Sequence, residues 1–328
     1  MKHDLARLRD EICQGHRRAI AKGITLLEST HLQDAEQAAA LLTALDDPSR
    51  DTLRVAISGP PGVGKSTLIE ALGMQAVEQG MRVGVLTVDP SSRLSGGSIL
   101  GDKTRMPRLS VHPSAYIRPT PAGTVLGGVA RRTRETIRLL EAAGFDLLLV
   151  ETVGVGQSET EVDGMVDLFV LLLLPNGGDE LQGIKRGIME LAEIIVINKA
   201  DSPWQEVAAS TAAQVRQATR LLQRKTPLWE PQVLLTSAQQ EEGIDLLLET
   251  LQTFRRQMQQ QGALQQKREA QATSWMWERV YEGLRQLLHA DTLVAQLAPE
   301  LERQVAQGLL GPVEAAERLL HSFAKARK

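Results

Sequence analysis

The sequence predicts an α/β fold, a mostly parallel sheet flanked by helices, with helical extensions at both ends. Three observations carry this expectation. Between about residues 50 and 257, short apolar runs alternate with helix-like stretches, the pattern of a parallel sheet covered on both faces. Several of those runs end in polar or Gly-containing loops, so ligand-binding groups gather at the carboxyl ends of strands. Outside that stretch the composition changes: residues 1–48 are rich in helix formers, and beyond 258 the chain turns to Gln, Glu, Arg and Leu. The expected division is therefore an N-terminal helical extension (1–48), an α/β core (49–257) and a C-terminal helical arm (258–328).

Taken in order, Leu5, Leu8 and Ile12 lie along one helical stripe, and residues 38–45 are strong helix formers. Residues 53–58 (LRVAIS) read as a short buried strand. It runs into Gly59, Pro60, Pro61, Gly62, Val63, Gly64, Lys65, Ser66 and Thr67, a complete G-x-x-x-x-G-K-[ST] sequence. Its glycines let backbone N–H groups turn inward around phosphates, Lys65 reaches the β- and γ-phosphates, and the Ser66 hydroxyl suits Mg²⁺. A helix over 68–80, closed by Gly80, follows, and its N-terminus favours an anion. Strand, loop, lysine, hydroxyl and helix agree, so the core is expected to be a P-loop NTPase.

Residues 193–197 (EIIVI) form another buried-strand pattern. About 130 residues after the phosphate loop, they lead into Asn198-Lys199-Ala200-Asp201, an N-K-x-D sequence. A carboxylate at Asp201 accepts hydrogen bonds from guanine N1–H and its 2-amino group. Adenine has no such donor pair, and would leave a buried carboxylate unpaired. Lys199 can lie along the base, and Asn198 can tie neighbouring loops together. Residues 232–235 (QVLL) lead into Thr236-Ser237-Ala238, which fits a backbone clamp on the guanine oxygen and fits equally an ordinary helix N-cap.

The hydrolytic machinery is less standard. Residues 146–150 (DLLLV) end in Glu151-Thr152-Val153-Gly154, where most GTPases carry Asp-x-x-Gly. Gly154 can give its N–H to the γ-phosphate, and Glu151 can hold a magnesium water or orient the attacking water. No glutamine directly follows Gly154; Gln157 comes three residues later. The strand 83–88 (VGVLTV) ends at Asp89, a candidate magnesium ligand that also reads as an Asx-Pro turn. Asp102 is a further candidate metal contact. Arg105 and Arg108 could replace a missing arginine finger, but the spacing selects neither.

The blocks GPPGVGKST, VDPSS, ILGDKTRM, ETVGVGQSE, LLLPNGGDELQGIKRGI and INKAD, in this order across most of residues 50–260, resemble the MeaB/ArgK family of GTPase chaperones. That resemblance implies a homodimeric, Mg²⁺-dependent G protein binding GTP and GDP. Its implied partner is adenosylcobalamin-dependent methylmalonyl-CoA mutase, whose cofactor loading, protection or reactivation it would gate. The 176–185 loop, following the strand that ends at Pro175, would then be an extra partner-responsive switch. Asp179, Gln182 and Lys185 stand at its functional positions, Lys185 being able to supply charge to the transition state. Without the resemblance the same residues read as a solvated loop entering a helix.

The remaining features set limits. A net charge of −3 leaves no basic footprint for nucleic acid. Cys13, the single cysteine, allows no internal disulfide, and the six histidines show no zinc spacing. The longest apolar run, 168–175, is too short for a membrane span. The charge-interrupted N-terminus has neither a secretory nor a transit pattern, so the bacterial cytoplasm is expected. Trp277, Val280, Tyr281, Leu284, Leu287 and Leu288 mark one helical face, which reads as a dimer arm or as a layer packed on its own core. Three other functions compete. A regulatory kinase or ATPase of a basic amino-acid transport system would need ATP. A nickel-inserting GTPase lacks its Cys/His cluster here. A scaffold with a degenerate site conflicts with the intact Lys65 and Ser66.

Overall fold

In this computed structural model, which describes residues 2–29, 31–47, 50–88, 105–120, 128–152, 159–175, 186–222 and 225–325, seven parallel strands make one sheet. The chain opens with α1 (Lys2–Cys13), α2 (Arg17–Glu28) and α3 (Leu32–Leu45). Then come β1 (Leu53–Ser58), α4 (Lys65–Glu78), β2 (Val83–Val88), α5 (Pro107–Val111), β3 (Ala115–Thr120), α6 (Gly128–Ala142) and β4 (Leu147–Thr152). The core finishes with α7 (Glu159–Asp163), β5 (Leu168–Leu173), α8 (Arg186–Leu191), β6 (Ile194–Ile197), α9 (Gln205–Thr219), β7 (Gln232–Leu235) and α10 (Ile244–Gln260). Beyond it lie α11 (Ala263–Ala290), α12 (Thr292–Ala306) and α13 (Pro312–Lys325). The sheet order is β3-β2-β4-β1-β5-β6-β7, so β1 is central, hydrogen-bonded to β4 on one side and β5 on the other.

Both faces of the sheet are covered, and the alternation of each strand divides its side chains between them. Ala56, Val150, Phe169, Leu171 and Ile197 point to one layer. It also holds Leu8, Ile12, Ile20, Ile24, Leu27, Leu41 and Leu45 of the three N-terminal helices, packed with Ile137, Leu139 and Leu140 of α6. The predicted stripe of α1 is therefore buried, and α2 contributes more than the sequence suggested. Val55, Ile57, Leu149, Val170 and Val196 point to the other layer, among α4 and α10.

Strands over 53–58, 83–88 and 232–235 fall where the sequence places them, and 146–150 and 193–197 shift by a residue or two. The edge strand β3 was not foreseen. Pro119 interrupts its pattern, and only an edge strand tolerates a proline that cannot donate to a neighbour. The helix after the phosphate loop begins at Lys65 rather than 68, because Gly64 at φ +96 already turns the backbone into it. The polar stretch from 258 is helical, and α10 and α11 are separated only by a short turn.

The chain divides into two compact units, Met1–Leu264 and Gln265–Lys328. Met258 and Leu264 are buried in the core of the first, so that unit runs past the expected boundary at 257. In the second, Asp291 caps α12 by accepting from the N–H groups of Leu293 (3.0 Å) and Val294 (3.1 Å). Val294, Leu301 and Ala315 are its buried side chains among the described residues. Trp277, Val280, Tyr281, Leu284 and Leu287 along α11 stay exposed, with the Trp277 and Tyr281 rings stacked at 6.1 Å.

A nucleotide-binding rim at the carboxyl ends of the strands

The phosphate loop leaves β1 at Gly59. Its φ is +154, and a Cβ there would lie 2.6 Å from the Leu172 carbonyl oxygen of β5, so only glycine fits. Gly64 caps α4 in the left-handed region, where a Cβ would meet the Asn198 amide at 2.6 Å. Pro60, Pro61 and Gly62 line the loop's outer side, Val63 is fully buried, and Thr67 faces solvent on α4.

Lys65 opens α4 and is almost wholly buried. Its ammonium donates to the carbonyls of Gly59 (2.8 Å) and Pro60 (3.2 Å), folding the side chain back along the loop. Burial pushes its pKa below the usual lysine range; the Glu151 carboxylate opposes that shift and the Arg105 charge reinforces it. Next to it, the Ser66 hydroxyl donates to Glu151 Oε1 at 2.9 Å. Glu151 is the penultimate residue of β4, in register with Ile57 of β1, and is held there by the sheet. Beside it, Thr152 donates to the Ser58 hydroxyl at 2.8 Å. A hydroxyl and a carboxylate thus converge at the first turn of α4, oxygen donors of the hard kind that suit Mg²⁺.

Asn198, at the end of β6, is buried, and its side chain makes three contacts. Nδ2 donates to the Val63 carbonyl at 2.8 Å, while Oδ1 accepts from Thr236 Oγ1 and Ala238 N, both at 3.1 Å. One amide therefore joins the phosphate loop to the loop after β7. Lys199 adopts φ +59, rare for a side-chain-bearing residue, and its Nζ donates to the Gly62 carbonyl at 2.8 Å. Ser237 pairs its backbone with Glu242, and its hydroxyl accepts from Gln240 N at 3.3 Å. Asp201 is half-buried, and its backbone carbonyl accepts from Trp204 N at 2.7 Å. Its carboxylate makes no hydrogen bond or ion pair among the described residues.

The structure therefore brings Lys65, Ser66, Glu151, Asn198, Lys199, Thr236, Ser237 and Ala238 to one rim of the sheet. Asp89, Asp102, Gly154, Asp179, Gln182 and Lys185 lie outside the described residues. Among those described, no three His, Cys, Asp or Glu side chains gather as a metal cluster. The Ser66–Glu151 contact joins residues far apart in sequence, and only the order of the motifs hinted at it. Arg108, one of two candidate arginines, is paired with Glu241, whereas Arg105 bears on Lys65.

A central strand feeding a phosphate loop, inside a parallel sheet whose strand β6 ends in N-K-x-D, defines a P-loop NTPase of the G-protein type. Residues 20–292 match the family described as methylmalonyl-CoA mutase-associated GTPase MeaB. The chain belongs to that family and is a GTPase. A Mycobacterium tuberculosis protein named as a probable GTPase is 50% identical over 306 residues, covering 93% of this chain and 91% of that one. The mouse methylmalonic aciduria type A homolog, named as mitochondrial, is 46% identical, with 97% of this chain and 79% of that one covered. A solved structure described as a LAO/AO transport system kinase superposes with a TM-score of 0.76 at 35% identity, over 98% of each chain. No described helix is long and apolar enough to cross a membrane.

Proposed function

We propose that this GTPase binds an adenosylcobalamin-dependent methylmalonyl-CoA mutase and uses its nucleotide state to gate the mutase's cofactor loading, protection or reactivation. The observation that carries this is the family match over residues 20–292, since the family is named for association with that mutase. The mouse relative's name, taken from a disorder of methylmalonate, supports the same reading.

At the site, GTP lies with its phosphates over the loop Gly59–Thr67. Lys65 leaves the carbonyls of Gly59 and Pro60 and turns its charge to the β- and γ-phosphates. Asp201 accepts from guanine N1–H and the 2-amino group, Lys199 lies along the base, and the Ala238 N–H turns from Asn198 Oδ1 to the guanine oxygen. Ser66 and Glu151 are the described residues that would hold Mg²⁺, with Asp89 and Asp102 as further candidates. Held there, Mg²⁺ would neutralise phosphate charge. Glu151 also stands where it can orient the attacking water, and Gly154, by its place in the Glu-x-x-Gly sequence, is the candidate N–H donor to the γ-phosphate. Asp179, Gln182 and Lys185 form the switch that answers the mutase. The exposed face of α11, Trp277, Val280, Tyr281, Leu284 and Leu287, supports a homodimer through the C-terminal helices. The working compartment is the cytoplasm.

The name of the solved relative favours a second reading, a nucleotide-dependent kinase of an amino-acid transport system. It requires ATP, which the Asp201 carboxylate does not accommodate. The test is calorimetric titration of methylmalonyl-CoA mutase into the GTPase loaded with GDP or with a non-hydrolysable GTP analogue. Affinities that differ between the two states support the proposal, since a switch must bind its two states unequally. No binding in either state refutes it.

A further inference from the structure

Side-chain hydroxyls close the strand pair β1–β4 at both of its ends. At the amino end, the Thr52 hydroxyl donates to the Phe145 carbonyl at 2.6 Å. At the carboxyl end, Thr152 donates to the Ser58 hydroxyl at 2.8 Å, and both residues are fully buried. This second bond stands where the backbone ladder has run out. The register of β1 with β4 ends at Ile57 and Glu151. Ser58 is still paired with Leu171 of β5, and Thr152 with Val88 of β2. One residue later, Gly59 turns β1 into the phosphate loop at φ +154. The hydroxyl bond therefore carries the β1–β4 pairing one step beyond its last backbone pair.

That step lies directly behind Glu151. Alternation puts Glu151 on the face of Leu149, toward α4, where its carboxylate accepts from Ser66 at 2.9 Å. Thr152 and Ser58 lie on the opposite face, with Val150 and Ala56. The two hydroxyls are thus on the far side of the sheet from the Ser66–Glu151 contact, and an effect of theirs on hydrolysis passes through the position of Glu151. A buried hydroxyl bond is costly to break on one side only, because the partner left behind finds no water. Small misplacements of a group that orients a reacting water are costly as well.

We propose that Thr152, through Ser58, is a positioning residue for GTP hydrolysis, holding the end of β4 so that the Glu151 carboxylate is presented to Ser66 and to the attacking water. The proposal rests on the reading that Glu151 serves hydrolysis at this site. GDP is held by the phosphate loop and the base-binding residues, so its affinity measured without Mg²⁺ is indifferent to Thr152. Thr52 supplies the internal comparison: it is a buried threonine at the other end of the same strand pair, away from the nucleotide.

The full-length Thr152→Val, Thr152→Ser, Ser58→Ala, Thr52→Val and Glu151→Gln variants are compared with wild type. Single-turnover GTP hydrolysis, GDP binding without Mg²⁺ and urea unfolding are measured for each. The expected result is a rate at least about tenfold lower for Thr152→Val, the scale of loss for a misplaced reacting group. GDP affinity stays within about twofold, since only a step beyond binding is touched. Ser58→Ala, which removes the acceptor instead, shows the same loss and carries the test if Thr152→Val does not fold. Thr152→Ser, which keeps the hydroxyl, recovers most of the rate. Thr52→Val loses stability but hydrolyses GTP normally. A normal rate in Thr152→Val, with hydrolysis slowed in Glu151→Gln, overturns the proposal and leaves the role of Glu151 standing. A normal rate in Glu151→Gln removes that role, and the role of Thr152 with it. An equal loss of rate in Thr52→Val also overturns the proposal, since the strand pair as a whole, and not the place of Glu151, would then set the rate.

Discussion

The side-chain amide of Asn198 donates to the backbone carbonyl of Val63 at 2.8 Å, across 135 residues of sequence. The contact fixes the distance between the phosphate loop and the end of β6. Because the same amide accepts from Thr236 and Ala238, one buried group sets three loops around a single ligand.

Asn198→Ala should therefore lower both stability and nucleotide affinity. It strips partners from a buried carbonyl, a hydroxyl and an N–H, each costing about 1–3 kcal/mol when left unsatisfied. A loss of about 2–4 kcal/mol in urea unfolding, with weaker binding of GDP and GTP alike, is expected. Wild-type stability would mean that the amide is not shared as described.

Lys65→Ala should cut hydrolysis by more than about 100-fold while leaving the fold intact, because the lysine serves the loop rather than the core. The wild-type protein should also show a pH signature. Phosphate needs the charged ammonium, and burial holds the Lys65 pKa below the ordinary lysine range, with Arg105 adding to the shift against Glu151. Nucleotide affinity should then fall as pH rises, starting at a lower pH than an exposed lysine would give. Lys65→Arg, which keeps its proton, should remove that fall. A flat profile up to the ordinary lysine range in wild type would contradict the account.

Asp201→Asn should exchange guanine for xanthine preference, because the amide can donate to the 2-oxo group that replaces the 2-amino group. Wild type should favour GTP over ATP by on the order of 10⁴, the discrimination typical of a site built to hydrogen-bond its substrate. Competition of labelled GDP with GTP, ATP and xanthosine triphosphate reads both. Displacement by ATP as readily as by GTP would restore the transport-kinase reading.

Lys225 gives a stability test far from the nucleotide. It lies 3.3 Å from Glu193 Oε1 and is bonded to Asp163. Burial works against its charge, but Glu193 and then Asp163 outweigh it and raise its pKa. A raised lysine contributes fully below its unfolded pKa, so the stabilisation holds at neutral pH and is lost only as strongly alkaline pH passes the folded value. Lys225→Met should cost about 3 kcal/mol in urea unfolding near pH 7, because the carboxylate of buried Glu193 loses its cation. The GTP-to-ATP preference should not move. An unchanged unfolding midpoint would show that the cluster contributes nothing.

How far the sequence could be read depended on whether a feature was local. The phosphate loop and N-K-x-D are contiguous, and their chemistry needs those residue types in that order, so both were legible. β1, β2 and β7 showed as apolar runs with clear stops. β3 did not, because Pro119 breaks its pattern and only its place at the sheet edge makes it tolerable. The burial of α2 was also hidden: Ile20, Ile24 and Leu27 follow a helical period, but nothing local says they meet Leu139 on α6. The pairing of Arg108 with Glu241 was out of reach, since the two residues are distant in sequence and near in space.

Lys185→Ala should separate partner-driven hydrolysis from nucleotide binding. If the 176–185 loop brings Lys185 to the γ-phosphate only when the mutase reorders it, the ratio of stimulated to unstimulated rates should fall toward one. GDP affinity should stay near that of wild type. Equal stimulation of variant and wild type, in parallel single-turnover assays, would reduce Lys185 to a solvated loop residue.

The most direct measurement is single-turnover GTP hydrolysis by the wild-type protein with and without saturating methylmalonyl-CoA mutase. A GTPase that serves this mutase should hydrolyse GTP faster when the mutase is present, with the acceleration saturating as the mutase is titrated. A rate indifferent to the mutase at every concentration would contradict the account, leaving a GTPase whose partner lies elsewhere.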